Sequence, residues 1–314
     1  MPKQPMLPTL IEKPFDDGGW LFELKWDGIR ALCALHGRGS YELISRNRLS
    51  LNHKFPELAG LDKDFARAPL VIDGEIVSLD AHGRSSFQRL QRRFKADNGE
   101  HGKIVYAVFD LLYDGQRDLR RRPLDERKAA LEKVIKPGSK LVMLSKHVIG
   151  KGKQLFAVAR KRKLEGIVGK RRDSTYQERR SRDWVKIKTH LEQEFVVGGW
   201  TDPQGSRAAF GALLVGVYDK GKLVFCGGVG TGFDAKLLHD VMGKMKPLAA
   251  KASPFATPLP PPLVKTAHWL KPALVAEVRF SEWTAEGLLR QPVFLGIRTD
   301  KDPKDVVREK PVER

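Results

Sequence analysis

The chain contains a lysine whose neighbours could turn its amine into a nucleophile. Lys25 opens the string KWDGIR at residues 25–30, between two runs of strand-forming residues. The Asp-Gly pair within it forms a tight turn, which presents the side chain beside it. An amine attacks phosphorus only after losing its proton, and at an ordinary pKa of about 10.4 roughly one molecule in 2,500 is ready at pH 7. We therefore expect nearby cations and burial to lower the pKa of Lys25.

Carboxylates and cations that could serve a reaction at phosphorus follow in strand-like runs. Glu75 and Glu165 could supply hard oxygen ligands for Mg²⁺ or Mn²⁺. Lys186 and Lys188 alternate and so point to one face of a strand, as in a basic pocket wall, although an exposed edge strand shows the same pattern. Cations near the amine would lower its pKa and stabilise a transferring phosphate. The candidates are Arg30, Lys170, Lys186 and Lys188.

The string KWDGIR resembles the nucleophile motif of the covalent nucleotidyltransferases, which are the DNA ligases, RNA ligases and mRNA-capping enzymes. Alone it is moderately specific, but five further strings resemble the other motifs of this family, in the family's order. They are IDGEIV at 72–77, VFDLL at 108–112, EGIVGK at 165–170, WVKIK at 184–188 and RQPVFLGIRTDK at 290–301. The last resembles the sixth motif of the DNA ligases, and the resemblance covers nearly the whole chain.

Within that family the chain most resembles the ligase module of bacterial ligase D, from non-homologous end joining. The strings that carry this narrower resemblance are SFQRLQ at 86–91, KRRDS at 170–174, RFSEWT at 279–284 and RTDKDP at 298–303. The chain is then either a stand-alone relative or an excised module. It departs from the family at residues 177–181, which read QERRS where a glycine is usual near position 179. No role is carried over to that loop.

The resemblance implies a role for each candidate residue. Lys25 is the nucleophile that becomes joined to AMP. Phe109 stacks on adenine, although an aromatic in an apolar strand could also be a core residue. Glu75 binds the metal, and Glu165 binds either the metal or, as the resemblance favours, the ribose hydroxyls. Arg46 contacts phosphate and ribose. The other implied ATP contacts are Glu23, Arg30, Lys170, Lys186, Lys188, Arg290, Arg298, Asp300 and Lys301.

The implied activity is ATP-dependent sealing of 5′-phosphate and 3′-hydroxyl ends in duplex DNA, in repair by non-homologous end joining. ATP and Mg²⁺ or Mn²⁺ are the implied cofactors. Lys25 displaces pyrophosphate and takes AMP, the 5′-phosphate at the break takes AMP in turn, and the 3′-hydroxyl then releases it. Residues 290–301 would orient pyrophosphate in the first step only, which requires the second domain to close over the nucleotide and then swing away.

Two rival functions share part of this pattern. An RNA-sealing or mRNA-capping enzyme has the same lysine motif, but the sixth motif of this chain favours a DNA ligase. A non-catalytic DNA-binding scaffold could retain a dead ligase core. The intact carboxylates and lysines of the first five motifs argue against that reading.

An excess of positive charge predicts a polyanionic partner. The chain has 57 Lys and Arg against 38 Asp and Glu, a formal net charge of +19, with 40 against 24 in residues 1–189 and 17 against 14 in residues 190–314. Such charge favours nucleic acid over a membrane, bound through its phosphates without regard to sequence. With the resemblance, it predicts nicked or broken duplex DNA as the partner of a monomer. The end-binding protein Ku follows from the ligase D resemblance alone.

The cysteines and the absence of apolar segments indicate a cytosolic protein. Cys33 and Cys226 are isolated, so they predict neither a disulfide framework nor a zinc cluster. The first residues lack the apolar core of a signal peptide, and no apolar stretch reaches about 18 residues. We expect the bacterial cytosol or nucleoid, a reducing compartment.

The pattern of elements predicts an α+β fold in two domains. Strand-like runs without strict alternation with helices fill residues 1–189, predicting an adenylation domain built on antiparallel sheets. Helices are predicted at 86–94, 123–135 and 151–164. Short strands and turns dominate residues 190–314, predicting an OB-fold β-barrel with a helix at 235–245. Residues 254–262 should be an extended, proline-rich excursion, and residues 302–314 a loose charged tail.

Overall fold

The computed structural model describes residue 2 and residues 4–37, 39–93, 102–203 and 209–313. The chain divides into two compact units, which are considered separately. The first comprises Met1–Thr189 together with Lys310–Arg314, and the second comprises His190–Glu309. Among the described residues, no helix combines the length and the apolar character needed to cross a membrane.

In the residues that the structure describes, the first unit consists of two sheets and three α-helices. Its strands are β1 (Leu7–Leu10), β2 (Trp20–Leu24), β3 (Ile29–Gly37), β4 (Ser40–Ser45), β5 (Leu70–Leu79), β6 (Lys103–Asp114), β7 (Arg117–Asp118), β8 (Val142–Leu144), β9 (His147–Ile149), β10 (Gly166–Arg171) and β11 (Arg180–Lys188). Its helices are α1 (Phe87–Arg93), α2 (Leu124–Val134) and α3 (Gly152–Lys161). The helix predicted at 86–94 corresponds to α1, and Phe94 lies outside the described residues.

Nearly all the strand pairs of this unit are antiparallel. One sheet has the order β1-β11-β10-β2-β9 and the other β4-β3-β5-β6-β7, with β8 beside β6. Among the strands that the structure describes here, only the β1–β11 and β6–β8 pairs are parallel. Apolar residues at mostly alternate positions of β3, β5 and β6 build the main core, which includes Ile72, Tyr106, Val108 and Leu111. The predicted α+β class on antiparallel sheets is therefore confirmed.

The sequence at residues 141–148 predicts one strand, but the structure divides it into two, and the reason bears on the site. The apolar run 141–148 reads as a single strand but forms β8 and β9, which pair with β6 and β2 in different sheets. The break falls at Ser145, which is fully buried and whose side chain binds a carboxylate described below. A polar side chain in an apolar run thus marks the point where the chain crosses from one sheet to the other.

The second unit is a closed ring of strands with one longer helix. Its strands are β12 (Leu191–Thr201), β13 (Leu213–Asp219), β14 (Lys222–Val229), β15 (Ala249–Ala250), β16 (Ala267–Phe280), β17 (Glu282–Trp283), β18 (Leu289–Arg290) and β19 (Val293–Arg298), and its helices are α4 (Ala235–Met245) and α5 (Pro261–Lys265). The order is β14-β13-β12-β16-β15, with β19 also on β16. The backbone N–H of Phe294 donates to Thr231, just past β14, at 2.9 Å and closes five strands into a ring.

The end of the chain is ordered rather than loose, so the predicted tail at 302–314 is wrong for its described part. Val306 is buried, and its carbonyl accepts from the N–H of Tyr218 at 2.7 Å. Further on, the N–H of Val312 donates to Leu10 at 3.0 Å in the first unit. Two valines among charged residues supply the apolar anchors for which a charged composition gave no signal.

Candidate active site

Lys25 lies on the short connection between β2 of one sheet and β3 of the other, and backbone contacts fix that connection. The N–H of Lys25 donates to the carbonyl of Gly166 at 2.9 Å. The carboxylate of Asp27 accepts from the N–H of Phe87, the first residue of α1, at 2.9 Å. A Cβ at Gly28 would lie 2.2 Å from the carbonyl oxygen of Ile76, so only glycine fits there. Asp27 and Gly28 therefore hold the lysine between the two sheets.

The ammonium of Lys25 is ion-paired with Glu165, which immediately precedes β10. The lysine side chain is 21% exposed and that of the glutamate 8%. Burial lowers the pKa of Lys25, but attraction to Glu165, Glu75 and Asp27 outweighs it and raises that pKa above the usual value. The expected lowering is therefore wrong for the protein without nucleotide, because the three nearest charges are carboxylates and not the cations that the sequence suggested.

The second carboxylate oxygen of Glu165 does not take part in the ion pair with Lys25. Its Oε2 atom is buried and has no hydrogen-bond partner within the described part of the chain. A buried acceptor without a partner is costly, by about 1–3 kcal/mol. The Oε2 atom of Glu165 is therefore an acceptor beside Lys25 to which a hydroxyl or a cation could bind.

Glu23, two residues before Lys25, lies at the centre of a buried network of charged side chains. Its Oε1 accepts from Lys128 at 2.5 Å, and its Oε2 accepts from Lys170 at 3.1 Å and from the hydroxyl of Ser145 at 2.9 Å. The indole N–H of Trp26 donates to the same hydroxyl at 3.0 Å. Trp26, the residue after Lys25, is thus connected through Ser145 and Glu23 to Lys170 of the fourth motif.

Charge in this network shifts two pKa values in opposite ways. Burial raises the pKa of Glu23, but attraction to Lys128 and Lys170 outweighs it, so the net shift is downward. Burial, together with repulsion from Lys128, lowers the pKa of Lys170 to about 8, although Glu23 and Asp110 oppose this. A lowered pKa was expected for Lys25, but the lysine with a lowered pKa is Lys170.

Two aromatic rings line the same region. Phe109 is only 6% exposed, and the Nζ of Lys170 lies 4.2 Å from its ring centre and 4.3 Å from that of Trp184. The guanidinium of Arg30 lies 4.5 Å from the Phe109 ring and is held by Asp73 through two hydrogen bonds of 2.6 Å. Phe109 is thus both a core residue and a wall beside the cations of the first and fourth motifs.

The remaining predicted contacts of the first unit lie on strands and turns around Lys25. Lys186 and Lys188 lie on β11, opposite Val168 and Gly166 of β10, so both are next to the strand that follows Glu165. Lys186 is buried and Lys188 half-buried. Glu75 lies on β5 directly opposite Arg30 of β3. The turn after β4 contains Arg46, which is half-buried.

The predicted pyrophosphate contacts lie in the second unit, where acids hold them. Arg298 is 8% exposed and binds Asp300 through two hydrogen bonds of 2.8 Å and Glu277 through one of 2.7 Å. Lys301 pairs with Glu194 at 2.8 Å. Arg290 is exposed and pairs with Glu282. In this arrangement Arg298 and its two carboxylates form a buried structural cluster.

The loop that departs from the family pattern anchors the N-terminal strand. The carbonyl of Arg179 accepts from the N–H of Leu7 at 3.0 Å, and the side chain of Arg180 donates to the carbonyl of Pro8 at 2.5 Å. Glu178 is ion-paired with Arg120. The residues in place of the usual glycine therefore hold β1 against β11.

Glu75 and Glu165 fit a divalent metal site that a nucleotide would complete. Within the described ranges, no group of three or more His, Cys, Asp and Glu side chains could hold a metal by itself. Mg²⁺ usually binds through one or two carboxylates and keeps water and substrate phosphates as its other ligands. Two carboxylates near Lys25, one with a buried oxygen that lacks a partner, are the donors that such a site requires.

Sequence reasoning missed the buried polar residues that support the site. Lys128 and Ser145 bind Glu23, and Arg127 binds Asp110 through two hydrogen bonds of 2.8 and 2.9 Å with both side chains fully buried. The sequence contains only a weak indication that Arg127 and Lys128 are buried. Arg127 and Lys128 lie within α2 beside Leu124, Leu131 and Val134, its apolar residues, so a helical projection could have shown two cations near the core-facing side.

The architecture, with a lysine between two antiparallel sheets and a five-stranded ring after them, is that of the covalent nucleotidyltransferases. Comparison with known proteins narrows this class. Residues 5–188 match the family described as ATP dependent DNA ligase domain, and residues 206–301 match the ATP dependent DNA ligase C terminal region. The chain belongs to the ATP-dependent DNA ligase family, and its second unit is the OB-fold domain of that family.

Several relatives carry the ligase D name. The multifunctional non-homologous end joining DNA repair protein LigD of Mycobacterium tuberculosis H37Rv is 43% identical over 293 residues, covering 92% of this chain and 37% of that protein. LigD of Pseudomonas aeruginosa is 38% identical over 311 residues, covering 98% and 36%. A solved structure described as mycobacterial DNA ligase D complexed with ATP and MES is 38% identical, with a TM-score of 0.69 and 98% of each chain covered. The chain spans little more than a third of the length of these LigD proteins.

Proposed function

We propose that this chain seals 5′-phosphate and 3′-hydroxyl ends in duplex DNA, using ATP, through a covalent Lys25–AMP intermediate. Residues 1–189 are then the adenylation domain and residues 190–314 the OB-fold domain. The observation that carries the proposal is the Lys25–Glu165 ion pair beside an acceptor without a partner, in a member of the ATP-dependent DNA ligase family. The ion pair connects Lys25, the proposed nucleophile, to a glutamate whose second oxygen can accept a hydrogen bond from the nucleotide.

Nucleotide binding must release the amine of Lys25 before it can react. The buried Oε2 of Glu165 is an acceptor for a ribose hydroxyl, as the family resemblance favours. When Glu165 turns to the ribose, its attraction for the ammonium weakens, while burial still disfavours the charged form. The pKa of Lys25 then falls when ATP is in place, so that the amine becomes reactive only with its substrate present.

The first step transfers AMP to the lysine. The lone pair of the deprotonated Lys25 amine forms a bond to the α-phosphorus, and the bond from that phosphorus to the bridging oxygen breaks, releasing pyrophosphate. Phe109 would stack on adenine, and Lys170, Lys186 and Lys188 would balance the negative charge that develops. A Mg²⁺ or Mn²⁺ ion held by Glu75 would polarise the phosphate oxygens when bound. Arg46 would contact the ribose and phosphate, and Glu23 would hold Lys170 in position.

The later steps use DNA. An oxygen of the 5′-phosphate at the break attacks the phosphorus of Lys25–AMP, and the lysine leaves as an amine that can be reprotonated. The 3′-hydroxyl then attacks the 5′-phosphorus and displaces AMP. We assign the residues of the sixth motif, Arg290, Arg298, Asp300 and Lys301, to orienting pyrophosphate in the first step, with the OB-fold domain moving between steps.

The biological setting is proposed from the LigD relatives, of which the chain spans only part. Repair of double-strand breaks by non-homologous end joining follows from their printed names. A partnership with the end-binding protein Ku, a monomeric state and a place in the bacterial cytosol or nucleoid are further proposals that belong to this setting.

The test is a covalent adduct. Protein incubated with ATP and Mg²⁺ or Mn²⁺ should gain the mass of AMP on Lys25, and Lys25→Ala should gain none and should not seal a nicked duplex. The matched control is Lys13→Ala, an exposed lysine upstream of β2. Label from GTP alone would indicate a capping enzyme. DNA binding with no adduct from ATP with either metal would indicate a scaffold.

A further inference from the structure

Residues 151–163, which include α3, carry a basic surface that the mechanism above does not use. Six of these thirteen residues are Lys or Arg and none is acidic, compared with 57 Lys and Arg in 314 residues overall. All six are exposed, and none of their side chains forms an ion pair or hydrogen bond with the described part of the chain. We name this surface the 151–163 patch. Its cations are Lys151, Lys153, Arg160, Lys161, Arg162 and Lys163.

The helix presents these charges outward because its other face is anchored. Leu155, Phe156 and Ala159 pack in the core with residues of β2 and β10. Lys153 and Arg160 are seven residues apart, so they lie on one face about 10 Å from each other. A ten-residue helix is about 15 Å long, and successive phosphates of one DNA strand rise about 3.4 Å along the axis, so the patch can follow roughly four phosphates.

Two of the cations occupy positions where they do not favour the local fold. Lys153 is in the first turn of α3, which contains no acid and where the helix dipole disfavours positive charge. The carboxylate of Asp16 accepts from the backbone N–H of Lys153 at 2.9 Å, so it caps the helix without pairing with the ammonium. A role in helix stability therefore does not explain the lysine.

The second is Lys163, which ends the helix in a left-handed conformation. Its φ is 56°, its N–H donates to Arg160 at 3.1 Å, and the N–H of Leu164 donates to Ala159 at 2.9 Å. This pair of hydrogen bonds is the Schellman ending, in which glycine is the favoured residue at this position. The chain keeps a cation where glycine would be less strained.

We propose that the 151–163 patch binds the phosphates of the duplex DNA that flanks the break. The proposal rests on the proposed function and extends it to a surface outside the nucleotide pocket. Lys163 precedes Glu165 by two residues, so their Cα atoms lie within about 7 Å. Because Glu165 is paired with Lys25, a duplex whose 5′-phosphate reaches Lys25 runs close to the patch. Such contacts position the duplex without reading its sequence.

The decisive variant is Lys163→Gly, for which a structural role and a DNA-binding role give opposite results. Removing the left-handed lysine should raise the melting temperature or leave it unchanged. Self-adenylation with ATP needs no DNA and should be unchanged. Binding of a nicked duplex should weaken, and the slope of log K against log salt should become shallower by about 0.9. That corresponds to a difference of about 3.5-fold in the affinity lost between 50 and 200 mM salt.

The matched control is Lys220→Gly. Lys220 is also exposed and left-handed, with φ 49°, in the turn between β13 and β14. It should relieve the same strain and remove the same charge without changing the salt slope. Equal weakening of DNA binding in both variants would mean a general effect of net charge and would overturn the proposal.

A double variant provides a second, independent measurement. Lys153→Gln with Lys161→Gln removes two cations from α3 but keeps residues of good helix propensity. We expect a salt slope shallower by about 1.8 and slower nick sealing at 200 mM salt, with self-adenylation intact. An unchanged slope of log K against log salt would overturn the proposal that the 151–163 patch binds DNA. Loss of the ATP adduct in the wild type would instead overturn the proposed function, so the two failures are distinguishable.

Discussion

Arg298 is the residue of the sixth motif at which the sequence and the structure give different expectations for mutation. From the motif alone, Arg298→Ala should impair self-adenylation and largely spare the sealing of pre-adenylated DNA. In the structure, Arg298 binds Asp300 and Glu277, and the three side chains are 8%, 7% and 10% exposed. The alanine variant leaves two buried carboxylates without their shared cation.

The magnitude follows from that burial. Removing one partner of a buried ion pair costs about 3–5 kcal/mol, which is a large part of the roughly 5–15 kcal/mol that stabilises a typical domain. For the second unit, His190–Glu309, the melting temperature should fall by roughly 10–20 °C. We therefore expect Arg298→Ala to weaken self-adenylation and sealing together, through loss of the folded second unit.

Lys301 and Arg290 give a cleaner test of the proposal that the sixth motif orients pyrophosphate in the first step only. Lys301 is 19% exposed and Arg290 is 64% exposed, and each pairs with a partly or fully exposed glutamate. Such pairs contribute about 0–1 kcal/mol, so alanine should leave the fold intact. Losing one cation that orients pyrophosphate should slow self-adenylation about 10-fold, equivalent to about 1.4 kcal/mol of barrier.

The assay compares two reactions of the same variant. Transfer of label from α-labelled ATP to the protein reports the first step, and sealing of a pre-adenylated nick reports the last. Lys301→Ala and Arg290→Ala should lose the first and keep the second within about threefold. Equal losses in both reactions, with an unchanged melting temperature, would refute the assignment. An Arg298→Ala variant that melts like the wild type would refute the buried-cluster argument.

Three other predictions concern the first unit. Because the folded pKa of Lys170 is lowered to about 8, the unfolded chain binds more protons above that pH, so stability should rise by about 2 kcal/mol between about pH 8 and 9.5, and Lys170→Met should flatten the rise in chemical denaturation. Arg127→Met leaves Asp110 buried and unpaired and should cost about 3–5 kcal/mol in urea unfolding, with part restored by adding Asp110→Asn; a loss below about 1 kcal/mol would contradict this. In Glu165→Gln the pKa of Lys25 should fall, so an amine-reactive reagent at neutral pH should label that lysine faster than in the wild type, as read by mass spectrometry; equal labelling would count against control of that pKa by Glu165.

The sequence determined the family and the class of fold, and it supplied the proposal that Lys25 is the nucleophile. The nucleophile motif is a run of six consecutive residues, so the sequence alone can show it. Glu75 and Phe109 were proposed because the strings IDGEIV at 72–77 and VFDLL at 108–112 resemble motifs of the family. The boundaries of α4 were also predicted correctly, at 235–245.

The tertiary structure alone decided which charges meet. Lys25 and Glu165 are 140 residues apart, and they meet because the Lys25 N–H bonds to Gly166 and β2 pairs with β10. The register of that pairing makes a carboxylate the lysine's nearest charge and reverses the expected pKa shift. Lys128 reaches Glu23 only because α2 packs against β6, so its place in the site has no local signature. Long-range pairing follows from burial of whole sheet faces, and a local pattern carries no record of it.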